Sequence, residues 1–122
     1  MNVIERARQG YAPKTSAVRT ERATELQLLG QVTSRIRNAA QSQDMPRLSE
    51  ALFDNRRIWN HLAGEVVDEQ NGLPEELRAR IFYLAEFVAA HSRKVLRGEA
   101  TIDTLIEVNT AVMRGLSSGS AR

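Results

Sequence analysis

Apolar residues recur every three or four positions in four segments of the chain, the spacing that places them on one face of an α-helix. The first segment extends from residue 16 or 20 to residue 41. Pro46 suits the first helical position of the second segment, and Gly72 supplies the left-handed residue with which helices often end. The predicted inward-facing residues of these two helices are Leu26, Leu29, Val32, Ile36, Ala39 or Ala40, and then Leu48, Ala51, Leu52, Asn55, Ile58 or Trp59, Leu62 and Val66.

Two more helices are predicted in the second half of the chain. Pro74 opens the third and Gly98 ends it, whereas Thr101 caps the fourth and Gly115 closes it. Short connections between helices of this length favour antiparallel neighbours, so we predict an all-α antiparallel bundle of four main helices with a short N-terminal arm or helix. The predicted inward-facing residues are Leu77, Ile81, Leu84, Val88, His91 and Val95, and then Ile102, Leu105, Ile106, Asn109, Val112 or Met113, and Leu116.

The two ends of the chain lack this periodicity. Residues 1–15 include Gly10 and Pro13 and are predicted to form a basic arm, and the small polar residues 117–122 a flexible tail. We therefore predict one helical domain over residues 1–116, arm included. At 122 residues, the chain is long enough to bury roughly two-thirds of the surface that it exposes when unfolded.

The third helix is apolar on more than one side, because Phe82, Tyr83, Phe87 and Ala90 form a second stripe beside the inward-facing one. A helix that is apolar all round is either buried in the middle of a protein or covered by a partner. We favour the central position and keep the partner surface as the alternative.

Charge is concentrated at the start of the chain. Residues 1–22 carry five basic side chains against two acidic ones, whereas the rest of the chain is close to neutral. The simpler interpretation is an arm that is only solvated, and the functional alternative is an arm that binds RNA or an acidic partner. No aromatic residues alternate with the basic ones to form a stacking platform, so RNA binding has little support.

Hydropathy and composition indicate a cytoplasmic protein with no membrane insertion. The longest apolar run, residues 81–90, is interrupted by Glu86 and is shorter than the ~20 residues that span a bilayer. The first residues lack the apolar core of a secretory signal. The absence of cysteine excludes disulfides, thiol nucleophiles and thiolate metal sites.

Motifs that carry enzymatic chemistry are absent from the sequence, including the phosphate-binding loop, the dinucleotide-binding turn, H-E-x-x-H and G-x-S-x-G. His61 and Glu65 lie four residues apart on one helix face and could supply two metal ligands. A stable site needs a third and a fourth, which no second motif offers. We therefore predict a protein that is not an enzyme, with no cofactor and no metal.

Four residues of the second and fourth helices have two interpretations. Asn55 and Asn109 lie on inward-facing stripes, where a buried amide without partners costs about 1–3 kcal/mol. They either bond each other or nearby backbone and fix the helix register, or they face a groove and bind a partner. Trp59 is predicted in the core, although Arg56 and Trp59 are also residue types that anchor interfaces.

Three blocks of the sequence resemble a known family: A-L-F-D-N-R-R-I-W-N-H-L at residues 51–62, N-G-L-P-E-E-L-R at 71–78, and L-I-E-V-N-T-A-V-M-R-G-L at 105–116. Their order and spacing are similar to those of the alphaproteobacterial FlaF family of flagellar biosynthesis regulators, over about residues 11–116. The positions that carry the resemblance are Tyr11, Ala51, Leu52, Asn55, Arg56, Trp59, Asn71, Leu73, Pro74, Leu77, Asn109, Met113, Gly115 and Leu116.

The resemblance implies a small helical cytoplasmic protein, not an enzyme, that is needed for flagellin synthesis and export. Similar proteins act beside FlbT, a regulator of flagellin mRNA translation, and are thought to engage flagellin before secretion. The candidate partner-binding residues, taken from these blocks and from the second stripe of the third helix, are Tyr11, Asn55, Arg56, Trp59, Phe82, Phe87 and Asn109.

Three hypotheses follow from these features. The chain is a secretion chaperone or adaptor that binds flagellin in an apolar groove and couples its synthesis to export. Alternatively, it is an RNA-binding regulator of flagellin mRNA translation that uses the basic arm and acts with FlbT. In the third hypothesis, the second stripe of the third helix is a surface for self-association.

Overall fold

The computed structural model describes residues 14–120, with side chains for residues 21–118. This part of the chain contains four α-helices: α1 (Lys14–Gln41), α2 (Met45–Val66), α3 (Glu75–Leu96) and α4 (Asp103–Ser120). A short 3-10 helix, Glu69–Asn71, lies between α2 and α3. The predicted all-α class is confirmed. Residues 1–13 of the predicted arm, Tyr11 among them, lie outside the described residues.

The turn between α1 and α2 depends on one left-handed residue and one helix cap. Gln43 adopts a φ of 54°, which reverses the chain directly after α1. Asp44 then caps α2, because its Oδ1 accepts a hydrogen bond from the backbone N–H of Arg47 at 3.1 Å. Pro46 lies in the first turn of α2, where its missing N–H leaves no hydrogen bond unmade. So short a turn makes α1 and α2 neighbours.

The end of α2 differs from the prediction. The helix ends at Val66 instead of at Gly72, because Asp68 starts a separate 3-10 turn by accepting a hydrogen bond from the N–H of Gln70 at 2.9 Å. Gly72 is left-handed as predicted, with a φ of 87°, but it ends this 3-10 turn. Pro74 then lies immediately before the first residue of α3.

The connection from α3 to α4 follows the predicted residues, whereas the end of α4 does not. Gly98 has a φ of 75°, and the hydroxyl of Thr101 accepts a hydrogen bond from the N–H of Asp103 at 3.4 Å. The prediction that Gly115 closes α4 is wrong, because the helix continues to Ser120. Gly115 instead lies against Leu77, where an added Cβ would come within 2.9 Å of Cδ1. A close approach of α3 and α4 accounts for this glycine better than a helix end does.

Pairs of contacting residues give the direction of two helix pairs. Across α1 and α2, Arg35 forms an ion pair of 2.9 Å with Asp54, while Glu25 lies near His61, so these helices are antiparallel. Helices α3 and α4 are antiparallel too, because the end of α3 meets the start of α4 and the start of α3 lies against the end of α4. The end of α2 meets the start of α3. Helix α1 also packs against α4, which closes the bundle.

The core lies along the predicted inward-facing stripes. Of the residues left as alternatives, Trp59 and Val112 are fully buried, whereas Ile58 and Met113 pack at the edge of the core. The buried apolar side chains are Leu29, Val32, Ile36, Ala39, Leu48, Ala51, Leu52, Trp59, Leu62, Val66, Leu73, Ile81, Ala85, Val88, Val95, Leu105, Val112 and Leu116.

Helix α3 is not the central helix, so that prediction is wrong. It packs against α2 and α4, and the second apolar stripe faces outward. Tyr83 is 80% exposed, Phe82 54% and Phe87 40%. A helix in a four-helix bundle has neighbours on about half of its circumference, which leaves the other half at the surface. No helix in the described part of the chain combines the length and the apolar character that a membrane crossing requires.

Candidate functional site

A hydrogen-bonded polar cluster occupies the interior of the bundle. The indole Nε1 of Trp59 donates to Oδ1 of Asn109 at 2.9 Å. The Nδ2 of Asn109 donates to Oγ1 of Thr33 at 3.0 Å and to Oδ1 of Asn55 at 2.9 Å. The Thr33 hydroxyl donates in turn to the carbonyl of Leu29 at 2.6 Å. This interior cluster, made of Thr33, Asn55, Trp59 and Asn109, therefore joins α1, α2 and α4.

Burial decides between the two interpretations of the asparagines. Asn55, Trp59 and Asn109 have no exposed surface. The prediction that the two asparagines bond each other is therefore confirmed. Nδ2 of Asn55 has no hydrogen-bond partner among the described residues. None of the three side chains is exposed at the surface of the bundle. Their role in partner binding stays a prediction, which binding measurements would test.

Arg56, the remaining candidate on α2, lies at the edge of the surface. Its side chain is partly buried, and its guanidinium carbon lies 5.8 Å from the ring centroid of Phe53. At that distance a cation is attracted to the face of an aromatic ring. Phe53 is 51% exposed, so this pair forms a small amphipathic patch on the outside of α2.

The outward stripe of α3 is the largest aromatic feature of the described surface. We call Phe82, Tyr83 and Phe87 the aromatic face of α3. Tyr83 and Phe87 lie four residues apart and so share one side of the helix, and Phe82 lies next to them on the exposed half of the helix surface. Phe87 also stacks on His91, with ring centroids 5.4 Å apart. Of the predicted binding residues, Phe82 and Phe87 are therefore the ones whose side chains are most available to a partner.

A hollow adjoins the aromatic face at the junction of α2 and α3. Its volume is about 680 Å³, and it is open to solvent. Arg78 stabilises the junction, because its Nε donates to the carbonyl of Val66 at 3.0 Å. The residues around the hollow are Val66, Val67, Glu69, Glu75, Arg78, Ala79, Phe82 and Tyr83.

A third group of side chains lies between α1 and α2. Glu25 projects from α1, and His61 and Glu65 lie one turn apart on α2. Nε2 of His61 is 2.5 Å from Oε1 of Glu65 and 3.8 Å from Oε1 of Glu25. Each of these three residues, the Glu25 cluster, offers one possible ligand atom, and the three atoms lie within 4.8 Å of one another. Glu25 on α1 thus offers a possible ligand atom beside the two that the sequence indicated on α2.

Glu25 is the most perturbed acid of the described residues. Its pKa is raised to about 9, chiefly by burial. The neighbouring Glu65 also contributes to this rise, and the charge of Glu21 contributes less. The charge of Arg22 acts in the opposite direction. The guanidinium of Arg22 is itself held by the carbonyl of Asn71 at 2.9 Å.

Sequence reasoning missed two functional candidates, Thr33 and Glu25. Both are polar residues on the buried side of α1, and helical spacing could have placed them there. Each lies four residues from Leu29, which is on the buried stripe, so both face inward. That spacing was a usable signal, but their partners on α2 and α4 are visible only in the folded chain.

Comparison with known proteins identifies the family. The chain matches the sequence model of the family described as "Flagellar protein FlaF" over residues 7–116. The chain belongs to the FlaF family. No match to it is found among curated proteins or among solved structures. Membership makes this a flagellar-related protein and confirms the resemblance found in the sequence.

The blocks that resemble the FlaF family coincide with the interior contacts. N-R-x-x-W supplies Asn55 and Trp59, and N-x-x-x-M-x-G-L supplies Asn109 and Gly115. These residues form the interior cluster and the close contact with Leu77. In this chain, the family-like positions on α2 and α4 therefore build the bundle, whereas the exposed aromatic residues of α3 lie outside those blocks.

Proposed function

We propose that this protein binds flagellin in the cytoplasm as a secretion chaperone or adaptor, and that it couples flagellin synthesis to export without catalysing a reaction. The observation that carries the proposal is the aromatic face of α3 in a member of the FlaF family. Large aromatic side chains that remain exposed on a folded bundle are typical of sites where another protein chain packs.

The shape of this region suits a helical segment of the partner. The aromatic face and the adjoining hollow form one apolar surface with charged residues, including Glu75 and Arg78, at its edge. An amphipathic helix binds such a surface by placing apolar residues three and four positions apart into it. Covering an apolar segment of unassembled flagellin in this way would keep it from self-assembly before export.

Calorimetry with purified full-length protein and monomeric flagellin tests the proposal. We expect saturable one-to-one binding that persists at high salt, because apolar contacts are little screened. The double variant Phe82→Ala, Phe87→Ala should weaken binding by at least about tenfold, since two anchoring aromatic residues are removed. Phe53→Ala is the matched control. Phe53 is exposed to nearly the same extent as Phe82 (51% and 54%), but it lies on α2, away from the aromatic face of α3.

The alternatives give different results in the same experiment. Absence of flagellin binding, together with salt-sensitive binding of flagellin leader RNA that is lost on removing residues 1–22, would favour translational regulation with FlbT. Self-association through α3 would appear as a concentration-dependent mass that the same double variant abolishes. Equal loss of flagellin binding in the Phe53→Ala control would place the contact elsewhere on the bundle.

A further inference from the structure

We propose that Glu25, His61 and Glu65 form a binding site for a divalent transition-metal ion of the Zn²⁺ class. This inference goes beyond flagellin binding and does not depend on it. The three side chains bring one imidazole nitrogen and two carboxylate oxygens together from two helices. His61 and Glu65 occupy positions four apart on α2, and α1 supplies the third group through the packing of the bundle.

The dimensions of the Glu25 cluster fit an ion. Nitrogen and oxygen ligands lie about 2.0–2.2 Å from Zn²⁺, so two ligands of one ion are roughly 3–4 Å apart. The distance from Nε2 of His61 to Oε1 of Glu25, 3.8 Å, lies within that range, and the distance to Oε1 of Glu65, 2.5 Å, is shorter than it. The His61 and Glu65 side chains are 66% and 22% exposed, which leaves them room to adjust to an ion.

Glu25 provides an independent observation. Its side chain is only 8% exposed, yet its Oε1 is buried with no hydrogen-bond partner among the described residues. A buried carboxylate oxygen without a partner is costly, and proteins normally pair such groups with donors or metal ions. This oxygen is directed at His61, so a cation bound there would supply the partner that the protein does not.

The surrounding charges also favour a cation. Glu21 and Asp68 line the same pocket, whose volume is about 470 Å³. Arg22 lines this pocket as well, but its guanidinium donates a hydrogen bond to the backbone carbonyl of Asn71. The open pocket leaves room for water at the remaining coordination positions.

The donor types indicate which ions fit. Imidazole nitrogen suits Zn²⁺, Cu²⁺, Fe²⁺ and Ni²⁺, whereas Mg²⁺ and Ca²⁺ prefer sites made of oxygen alone. A site with one histidine and two glutamates therefore favours the transition ions. In such a position the ion would tie α1 to α2 near the end of the bundle that holds the 3-10 turn.

Titration of Zn²⁺ into chelator-treated full-length protein tests the site by calorimetry and by thermal unfolding. We expect one ion per chain and a rise in the unfolding temperature, because a ligand that binds only the folded state stabilises it. His61→Ala and Glu65→Gln should each weaken Zn²⁺ binding at least about tenfold, since even groups that merely orient ligands contribute ~10–100-fold. Mg²⁺ used in place of Zn²⁺ should give no comparable shift.

His91→Ala is the matched control, because His91 is the other histidine of the chain and its Nε2 lies 3.1 Å from the carbonyl of Thr101. It should bind Zn²⁺ like the unaltered protein. His61 is largely exposed, so His61→Ala should remain folded, which circular dichroism verifies before titration. Absence of saturable one-to-one binding, or unchanged affinity in folded His61→Ala, would overturn the proposal.

Discussion

The indole Nε1 of Trp59 donates a hydrogen bond of 2.9 Å to Oδ1 of Asn109, which is 50 residues later in the chain. Both side chains are completely buried, so solvent water cannot take the place of this hydrogen bond when it is broken. Hydrogen-bond directions restrict how α2 and α4 slide past each other, whereas apolar contacts tolerate several registers. The interior cluster thus specifies the alignment of helices whose apolar stripes alone would permit alternatives.

Replacing Asn109 with alanine should destabilise the bundle strongly. The substitution removes the acceptor for Trp59 and the donor to Asn55 and Thr33, and buried groups left unpaired cost about 1–3 kcal/mol each. We expect the free energy of unfolding to fall by more than about 2 kcal/mol. Urea denaturation followed by circular dichroism measures the change.

Asn38→Ala serves as the control for the Asn109 prediction. Asn38 lies exposed on α1, so the same substitution there removes an asparagine without disturbing the interior. Its effect on the free energy of unfolding should be within about 0.5 kcal/mol. Similar losses for Asn38→Ala and Asn109→Ala would mean that the interior cluster contributes nothing specific.

Two substitutions of Trp59 separate packing from hydrogen bonding. Trp59→Ala leaves a large cavity in the core and should cost ~3–5 kcal/mol. Trp59→Phe retains most of the aromatic volume but removes the N–H, so its cost should be smaller and close to that of one orphaned acceptor, ~1–3 kcal/mol. Equal losses in urea denaturation would show that the indole N–H matters as much as the whole ring.

The fold was predictable because each helix carries its own signals. Proline, glycine and capping residues mark most of the helix boundaries, and the apolar stripes identify the buried face of each helix. The sequence did not reveal that α2 ends at Val66, because the cap formed by Asp68 competes locally with a continuing helix. It also did not reveal that the second stripe of α3 faces outward. Helical spacing shows which residues share a face, but it does not show whether another part of the chain covers that face.

Much less of the candidate sites was predictable. Asn55, Trp59 and Asn109 could be selected as unusual residues, but whether they face a partner or each other depends on how α2 and α4 pack. In the Glu25 cluster, Glu25 precedes His61 and Glu65 by 36 and 40 positions, and no local spacing indicates a group supplied by a different helix. Tertiary contacts between distant segments were therefore the missing information in both cases.

Two glycines within helices should respond differently to alanine. Gly30 lies within α1, and a Cβ added there meets nothing within 4 Å. Gly30→Ala should therefore raise the free energy of unfolding by about 0.5–1 kcal/mol through helix propensity alone. At Gly115 the added Cβ would lie 2.9 Å from Cδ1 of Leu77, so the displacement of that side chain should offset or exceed the gain.

Parallel urea denaturation of Gly30→Ala and Gly115→Ala compares the two positions directly. Gly115→Val extends the test, because a larger side chain cannot be accommodated by a small movement of Leu77 and should be clearly destabilising. Stabilisation by Gly115→Ala equal to that by Gly30→Ala would show that α3 and α4 separate easily at this contact.

The stability of the metal-free protein should fall as pH rises, because of Glu25. Its pKa is about 9 in the folded state against 4.5 for the ordinary side chain, so the folded protein binds more protons than the unfolded chain between these values. The free energy of unfolding then decreases with increasing pH throughout that window, and the contribution of Glu25 is largest below about pH 4.5. The groups that surround this carboxyl are Glu21, Arg22, His61 and Glu65.

Urea denaturation in the presence of a chelator, at several pH values between 5 and about 8.5, measures this dependence for the unaltered protein and for Glu25→Gln. Glutamine retains the size of the side chain but cannot ionise, so the variant should lose less stability over the range and be the more stable of the two at the upper end. Glu107→Gln, an exposed substitution on α4, controls for the general effect of removing one negative charge. Parallel pH profiles for the unaltered protein and Glu25→Gln would mean that Glu25 ionises in the folded protein as readily as in the unfolded chain.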